Sequence, residues 1–233
     1  CVKEGYAFVC IKGALSDGHD YAAKAFEQGA AVVIAERDLG LENQIVVDNT
    51  HKEFAILSAK WFGNPSKKLK LIGVTGTNGK TSTTYMIKQV LETLGHKVGL
   101  IGTIQNMIGD EVIPTSNTTP NAYDLNSLFA DMVEKGCDYA VMEVSSHALD
   151  QCRVYELDFE AAIFTNLTQD HLDYHITMEN YLEAKKKLFK MCKVAIINSD
   201  DQYSQKISEG LDCKVVTYST GNNSTYSAKG INY

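Results

Sequence analysis

The sequence predicts an α/β protein built from a small amino-terminal α/β domain and a larger, mostly parallel, doubly wound sheet. Three observations support this fold class. Strand-like apolar runs alternate with helical patterns along most of the chain. The segment 63–69, which contains glycine, proline and two lysines, separates a first block of this alternation from a second. A glycine-rich turn at 73–82 joins an apolar run to a helical pattern, as phosphate-binding loops do.

The first block is a small α/β unit. Its apolar runs predict strands at 7–12, 30–35 and 45–48, and its helical patterns lie at 21–28 and 52–62. Gly29 ends the first of these helices. We expect the domain boundary after residue 66, which gives domains 1–66 and 67–233.

The second block carries the longer alternation. Strands are predicted at 71–75, 98–102, 139–144, 161–166, 194–198 and 215–218, and helices at 81–94, 123–135, 178–191 and 202–209. Because parallel sheets bind ligands at the carboxyl ends of their strands, polar residues after these runs are candidates for a functional site. The chain begins at Cys1 rather than Met and stops within an apparent strand at 230–233, so we expect a fragment that is incomplete at both ends.

Composition narrows the class of protein. The chain has 233 residues, of which 44% are hydrophobic and 22% charged, as in soluble globular proteins. A net charge of −7 argues against a general nucleic-acid binder, and no apolar run reaches the length of a membrane span. Six cysteines without a C-x-x-C pair predict reduced thiols in a cytosolic protein.

The turn between the first strand and helix of the second block has the composition of a phosphate-binding loop. In its core, Thr75-Gly-Thr-Asn-Gly-Lys-Thr81, Lys80 supplies a positive charge and Thr81 a hydroxyl for a magnesium ion. The usual pattern has a glycine where this chain has Val74, so a strict pattern search misses the loop. A glycine-rich turn without function does not explain a Lys-Thr pair that opens a helix. The loop therefore predicts a site for a nucleoside triphosphate.

Glu143 ends a buried strand and can face this loop across the gap between neighbouring strands. Its carboxylate suits Mg²⁺, which prefers oxygen ligands and retains water. The alternative is a structural carboxylate or a helix cap. Ser145 and Ser146 follow as small hydroxyl donors, and Arg153 suits the recognition of a carboxylate or phosphate.

Three more polar segments are candidates. The turn Asn117-Thr-Thr-Pro120 fits a helix cap and a substrate contact equally well. The segment 165–175 is dense in Asp and His at a strand end, which indicates a second cation site or phosphate contacts; a neutral His171 could be a metal ligand. Lysines occur at 185, 186 and 187, for which a solvated helix face is the usual interpretation; periodicity leaves the direction of Lys185 open.

Together these motifs resemble the Mur ligases, the ATP-dependent amide-bond ligases of peptidoglycan synthesis. The loop at 75–81 resembles that of both Mur ligases and folylpolyglutamate synthases. Within the family, the chain is most similar to the members that add the third residue of the stem peptide. The motifs that carry this similarity are Asn117–Thr119, Glu143-Val-Ser-Ser-His147 with Gln151 and Arg153, and Asn166–His175. The resemblance covers essentially the whole chain. It departs at His175-Ile176, where the family more often has His-Gly.

The resemblance implies a role for each motif. The ATP phosphates would be held by Gly76, Thr77, Asn78, Gly79, Lys80, Thr81 and Ser82. One Mg²⁺ would be held by Thr81 and Glu143, and a second by His171. Lys185 matches the family lysine that CO₂ carbamylates, which turns a cation into an anion able to support Mg²⁺. The expected catalytic residues are Lys80, His171 and Lys185, and the expected substrate contacts are Asn117, Thr118, Thr119, Ser145, Gln151 and Arg153, with Ala14, Leu15 and Ser16 as a weaker match to a uridine-nucleotide loop.

The reaction implied by the resemblance joins a diamino acid, meso-diaminopimelate or L-lysine, to UDP-MurNAc-L-Ala-D-Glu through an acyl phosphate, with ATP as co-substrate, Mg²⁺ as cofactor and CO₂ for the carbamate. We expect a cytoplasmic monomer that binds neither nucleic acid nor membrane. A carboxyl-terminal domain would be missing, so we expect the fragment alone to be inactive. The alternatives are a ligase like folylpolyglutamate synthase, which the 143–147 segment and the first block disfavour, and a non-catalytic nucleotide-binding relative.

Overall fold

The computed structural model describes residues 2–13, 16–221 and 224–230. The chain divides into two units, Cys1–Leu57 and Ser58–Tyr233. In the first, three parallel strands pair in the order β1 (Ala7–Val9), β2 (Val32–Ala35), β3 (Gln44–Val46), and α1 (Ala22–Glu27) connects β1 to β2. The helix α2 (Thr50–Trp61) follows β3 and crosses the boundary between the two units. A small core buries Cys10, Ala22, Val33 and Ala35. Every element predicted for the first block is present, within a few residues of its expected bounds.

The second unit contains the larger sheet. In chain order its elements are β4 (Lys70–Thr75), α3 (Lys80–Thr93), β5 (Val98–Ile101), β6 (Asn106–Ile108), β7 (Glu111–Ile113), α4 (Ala122–Glu134), β8 (Tyr139–Glu143), α5 (Ser146–Asp150), β9 (Phe159–Phe164), α6 (Leu172–His175), α7 (Met178–Lys186), β10 (Cys192–Asn198), α8 (Ser204–Ser208), β11 (Lys214–Ser219) and β12 (Tyr226–Ser227). The strand order is β12-β11-β10-β9-β4-β8-β5-β6-β7. Neighbouring strands from β12 to β5 are parallel, and β6 and β7 add an antiparallel hairpin at one edge. The predicted, mostly parallel sheet is confirmed.

Two adjacent residues of β5 show that helices cover both faces of this sheet. Leu100 belongs to a cluster that includes Tyr85 and Leu91 of α3. Ile101 belongs to another cluster, which includes Phe129 of α4. Because successive side chains of a strand point to opposite faces, α3 and α4 lie on opposite sides of the sheet. The doubly wound arrangement is therefore also confirmed.

A few elements differ from the prediction. The helical pattern at 178–191 contains α7 and then a 3₁₀ helix, Lys187–Met191, a common way for an α-helix to end. The short helices α5 and α6 were not predicted, because four or five residues are too few to show a helical period. In the segment 63–69, Pro65–Lys68 form a 3₁₀ helix; the domain boundary after residue 66 stays a prediction. Of the apparent strand at 230–233, residues 231–233 lie outside the described residues.

The parallel strands present their carboxyl ends at one edge of the sheet. β4 lies between β8 and β9 at its centre, and β5 lies beyond β8. The segments that follow these four strands carry most of the polar motifs singled out in the sequence. This edge is where open α/β sheets bind ligands.

Candidate active site

The loop between β4 and α3 contains two glycines with backbone conformations that favour glycine. Gly76 has φ +147° and Gly79, which immediately precedes α3, has φ +84°. A Cβ on Gly76 would lie 1.9 Å from Thr165 Oγ1, whereas a Cβ on Gly79 would meet no atom within 4 Å. At position 79, glycine is therefore favoured over other residues by its φ alone. Gly76 is favoured both by its φ and by the close approach of the chain after β9.

Two residues that follow β9 hold the loop in place. Asn166 accepts a hydrogen bond from Thr77 N through its backbone oxygen (2.9 Å). Its side chain pairs with the backbone of Asn78, with Asn78 N donating to Oδ1 (2.9 Å) and Nδ2 donating to Asn78 O (3.1 Å). Thr165 Oγ1 donates to the same oxygen at 2.7 Å. Nothing in the sequence signals this pairing, because the two asparagines are 88 positions apart.

Two lysine side chains converge on one carbonyl oxygen of the loop. Lys80 Nζ donates to Gly76 O at 2.9 Å and to Thr77 O at 2.8 Å. Lys185 Nζ donates to Gly76 O from α7, also at 2.9 Å. Lys185 is only 1% exposed, and its Nζ lies 4.4 Å from the centroid of the Tyr181 ring. The direction of Lys185, which periodicity left open, is inward.

Burial lowers the pKa of both lysines. For Lys80, desolvation lowers the pKa, and the negative charges of Glu143 and Asp170 oppose that change. For Lys185, desolvation is again the largest cause and the positive charge of Lys80 adds to it, so its pKa lies well below the ordinary value of 10.5. A lower pKa raises the fraction of neutral amine, which is the nucleophilic form of a lysine.

The carboxylate of Glu143 is buried beside the first turn of α3. Its Oε1 accepts hydrogen bonds from Thr81 Oγ1 (2.9 Å) and Thr103 N (3.0 Å), and its Oε2 accepts one from Thr103 Oγ1 (3.0 Å). Thr103 was not among the residues predicted from the sequence. It lies in a short connection after β5 that matches no motif, so only the folded sheet reveals its contact with Glu143.

Thr81 and Glu143 form a donor set of hard oxygen atoms. Mg²⁺ prefers such atoms and usually completes its coordination with water and substrate phosphates. Across the described ranges, no group of three or more His, Cys, Asp or Glu residues is placed to hold a metal ion. The oxygen pair therefore fits a cation that arrives with a nucleotide better than one that the protein alone would hold.

Three histidines cluster beside the loop. The ring of His147 lies 4.9 Å from that of His171 and 5.5 Å from that of His175, measured between centroids. Desolvation is the largest cause that lowers the pKa of His147 and of His175, and each is lowered further by a neighbouring histidine. His171, at the start of α6, is more exposed, with its Nε2 3.5 Å from Asp170 Oδ2. Its side chain is 48% exposed, so a ligand can reach it from solvent.

The segment 117–119 meets the end of β8 beside Glu143. Thr119 Oγ1 donates to the Glu143 backbone oxygen (2.9 Å) and accepts a hydrogen bond from Ser145 N (3.1 Å). Thr118 Oγ1 lies 3.0 Å from Thr103 Oγ1. Thr118, Thr119, Glu143 and Ser145 are thus brought together with Thr103 in one hydrogen-bonded network.

Arg153 is held near this network without a carboxylate partner. Its Nε and Nη2 donate to Gln151 Oε1 at 3.0 and 2.7 Å, and its Nη1 donates to Thr119 O at 2.8 Å. Burial lowers the pKa of its guanidinium group. No ion pair of Arg153 is found within the part of the chain that the structure describes. A partly buried cation oriented by neutral groups is suited to receive an anionic ligand.

The remaining predicted residues belong to different parts of the chain. Asn117 is exposed and lines a cavity of about 260 Å³. Ser82 is exposed in the first turn of α3. Ser16, in the first unit, is exposed and accepts a hydrogen bond from Gly13 N through its backbone oxygen (2.9 Å). Ala14 and Leu15 lie outside the described residues.

Ile176 occupies a strained turn directly after α6, and we expect Ile176→Gly to stabilise the protein. Its φ and ψ are +70° and −48°, and Thr177 N donates to His175 O at 2.8 Å, which closes a classic-type γ-turn. Relief of about 1–3 kcal/mol of strain should exceed the roughly 0.5–1 kcal/mol that glycine costs in the unfolded chain. Thermal unfolding should show a higher Tm. The same substitution at Ile104, which is also exposed but has a negative φ, should give no gain; an equal gain at both positions would contradict the strain.

Comparison with known proteins assigns the family. Residues 74–233 match the Mur ligase middle domain, and residues 1–66 match the catalytic domain of the Mur ligase family. A relative from Clostridium botulinum (strain ATCC 19397 / Type A), named UDP-N-acetylmuramoyl-L-alanyl-D-glutamate--2,6-diaminopimelate ligase, is 48% identical over 236 residues. That match covers 99% of this chain and 49% of the relative, so the chain spans about half the length of the curated relatives it matches. None of the described helices is long and apolar enough to cross a membrane.

Solved structures agree with this assignment. A structure of UDP-N-acetylmuramoyl-L-alanyl-D-glutamate--2,6-diaminopimelate ligase is 32% identical and superposes with a TM-score of 0.86 over 97% of this chain and 48% of its own. Folylpolyglutamate synthase from Mycobacterium tuberculosis, solved with ADP and AMPPCP, is 17% identical, with a TM-score of 0.58 over 72% of this chain and 48% of its own. The second likeness shows a shared fold only. Since the middle-domain model alone matches well over half of the residues, this chain belongs to the Mur ligase family.

Proposed function

We propose that this chain is part of an ATP-dependent ligase that joins 2,6-diaminopimelate to UDP-MurNAc-L-Ala-D-Glu. The observation that carries the proposal is the 48% identity, over 99% of this chain, to a relative whose name specifies that ligation. The geometry supports it, because the phosphate loop, a buried lysine and a buried carboxylate lie at the same edge of one sheet. ATP and a UDP-linked acceptor also favour a cytoplasmic location. The expected monomeric state stays a prediction.

The loop supports binding of the ATP phosphates. Backbone N–H groups at the start of α3 are directed toward the loop, and the helix dipole favours an anion there. Lys80 is held by two neutral carbonyl oxygens, so its ammonium group can move to a phosphate without breaking an ion pair. Thr81 and Glu143 would hold the Mg²⁺ of the nucleotide, which when bound neutralises charge between the two anionic reactants.

The environment of Lys185 supports the formation of a carbamate on its side chain. Its neutral amine would form an N–C bond to CO₂ and release one proton, which leaves a carboxylate-like anion on the lysine nitrogen. Lys80 shares the Gly76 oxygen with Lys185 and supplies the compensating positive charge. Lys185 and His171 both lie against the ring of Tyr181, so the carbamate and the imidazole would provide ligands for a second Mg²⁺.

The proposed reaction has two chemical steps. A substrate carboxylate attacks the γ-phosphate of ATP, which gives an acyl phosphate and ADP. An amino group of the diamino acid then attacks the acyl carbon, an amide bond forms and inorganic phosphate leaves. The first step is needed because a carboxylate is a poor electrophile. Lys80 would stabilise the charge on the transferring phosphoryl group, and positioning of the reactants would supply much of the rest.

Arg153→Gln is expected to raise the KM for UDP-MurNAc-L-Ala-D-Glu with little change in kcat. The variant removes a charged donor that the protein itself leaves uncompensated, which is worth about 2 kcal/mol or roughly 30-fold in affinity. Arg153→Lys keeps the charge but loses the planar, forked guanidinium group, so its KM should lie between those of the wild type and Arg153→Gln. Steady-state kinetics of the full-length gene product would test this. An unchanged KM with a lower Tm would show a purely structural arginine.

The test of the proposed function is amino-acid-dependent phosphate release by the full-length gene product. The protein would receive Mg-ATP and UDP-MurNAc-L-Ala-D-Glu with meso-diaminopimelate, with L-lysine or with neither, and mass spectrometry would identify the peptide product. We expect release and tripeptide formation with diaminopimelate. Phosphate release with L-lysine would identify L-lysine as the third residue of the peptide. Release only with a folate and glutamate would favour the folylpolyglutamate-like alternative. No release by folded protein would favour a non-catalytic relative.

A further inference from the structure

Thr103 follows β5 and contacts both oxygens of the Glu143 carboxylate. Its N–H donates to Oε1 and its hydroxyl donates to Oε2, each at 3.0 Å. At the preceding position, Gly102, a Cβ would lie 2.5 Å from Glu143 Oε1. Glycine at this position therefore allows the chain after β5 to approach the carboxylate closely enough for the Thr103 amide to reach it.

The hydroxyl of Thr103 also lies 3.0 Å from the hydroxyl of Thr118. The Thr103 hydroxyl is the donor in both contacts, and because a threonine hydroxyl has one hydrogen, that hydrogen is shared between Glu143 Oε2 and Thr118 Oγ1. The hydroxyl oxygen of Thr118 and the carboxylate therefore compete for one donor. The Thr103 hydroxyl thus links Thr118 to the carboxylate, and the charged acceptor is the stronger of the two.

We propose that Thr103 is a positioning residue that couples the substrate loop, residues 117–119, to the metal-binding carboxylate of Glu143. The inference rests on the proposed function, in which that loop contacts the UDP-linked substrate and Glu143 holds the Mg²⁺ of the nucleotide. Thr81 contacts one oxygen of the carboxylate, whereas Thr103 contacts both and so fixes its rotation. A substrate that engages the Thr118 hydroxyl changes how Thr118 competes with Glu143 for the hydrogen of Thr103. Occupancy of the substrate loop and affinity for the cation are then linked, and the linkage is reciprocal.

The first experiment measures the affinity of the full-length protein for Mn²⁺ in the presence of saturating ADP, by electron paramagnetic resonance. Thr103→Val keeps the shape and the backbone N–H but removes the hydroxyl. We expect it to weaken Mn²⁺ binding about 10- to 100-fold, the usual effect of losing a residue that orients a metal ligand. Thr103→Ser restores the hydroxyl and should bind Mn²⁺ nearly as the wild type does. Thr93→Val is the matched control, because Thr93 is exposed on α3 and bonds only to Gln89 O among its recorded contacts.

The second experiment adds UDP-MurNAc-L-Ala-D-Glu to the same titration. The substrate should shift the Mn²⁺ affinity of the wild type by about fivefold or more, within the usual range of coupling between sites. The shift should disappear in Thr103→Val and in Thr118→Val, and it should persist in Thr93→Val. A shift of the same size in all four proteins would overturn the coupling.

The outcomes separate this inference from the proposed function. Unchanged Mn²⁺ affinity in Thr103→Val, with or without a lower Tm, would show that Thr103 only stabilises the fold and would overturn the positioning role. Absence of Mn²⁺ binding by wild-type protein with ADP would overturn it as well. If the wild type fails to ligate diaminopimelate but Thr103→Val still loses Mn²⁺ affinity and Thr103→Ser regains it, the ligase assignment fails while the positioning of Glu143 stands.

Discussion

Gly76→Ala in the full-length protein is expected to abolish nucleotide binding at concentrations that saturate the wild type. The new Cβ would lie 1.9 Å from Thr165 Oγ1 and about 3 Å from the backbone of Asn166, so the loop must leave the end of β9. The φ of +147° adds backbone strain of about 1–3 kcal/mol for any residue with a side chain. Displacement of a phosphate site by about 1 Å costs on the order of 100-fold or more in rate. Calorimetric titration with ADP would measure the loss of nucleotide binding, and phosphate release would measure the loss of rate.

Gly95→Ala is the control for this variant. Gly95 follows the same helix, α3, and has a φ of +87°, but an added Cβ would meet no atom within 4 Å. It should lower stability by about 1 kcal/mol through strain and leave ADP affinity unchanged. A folded Gly76→Ala protein that binds ADP as tightly as Gly95→Ala does would contradict the close packing of the loop against β9.

Lys185→Met should lower ligase activity about 100- to 1,000-fold, the effect of removing a group that stabilises a charged transition state. Met fills the buried space without an amine, and Gly76 O keeps its bond from Lys80. The wild type should lose activity in CO₂-free buffer and regain it with bicarbonate, whereas Lys185→Met should respond to neither. With ¹³C-bicarbonate, nuclear magnetic resonance should detect a carbamate signal in the wild type and in the exposed-lysine control Lys190→Met, but not in Lys185→Met.

The pH dependence of the carbamate follows from the low pKa of Lys185. A pKa well below 10.5 leaves more neutral amine at neutral pH than an exposed lysine has. Because carbamate formation consumes the neutral amine and releases a proton, its occupancy should rise with pH. Falling pH should protonate the amine and reverse the reaction. A labelled signal that is insensitive to pH, or near-normal turnover by Lys185→Met, would contradict the carbamate role.

The loop and the alternation of strands could be predicted from sequence because both depend on residues close together in the chain. Lys80 and Thr81 open a helix directly after a glycine turn, and that order alone specifies the conformation of the backbone. Apolar runs identified the parallel strands, and with them the edge at which Glu143 would lie. The departure at Ile176, where a glycine was expected from the family, also proved informative, because its φ is positive.

Contacts between distant segments could not be predicted in the same way. The clamp formed by Asn166 on Asn78 and the bonds from Thr103 to Glu143 join positions 88 and 40 residues apart. The direction of Lys185 depends on which face of α7 packs against the loop, and three consecutive lysines give no pattern that distinguishes one from the others. Arg153 could be named from its motif, but the absence of an ion pair within the described residues only became visible in the fold.

The clamp at the end of β9 has a consequence for how the nucleotide enters. Because Thr77 and Asn78 are already hydrogen-bonded to Asn166, the loop between β4 and α3 has its conformation before any phosphate binds. Binding should therefore order little further backbone. The amide protons of Thr77 and Asn78 should exchange slowly with solvent even in ligand-free protein. We therefore expect this loop to behave as a preorganised, rigid docking point.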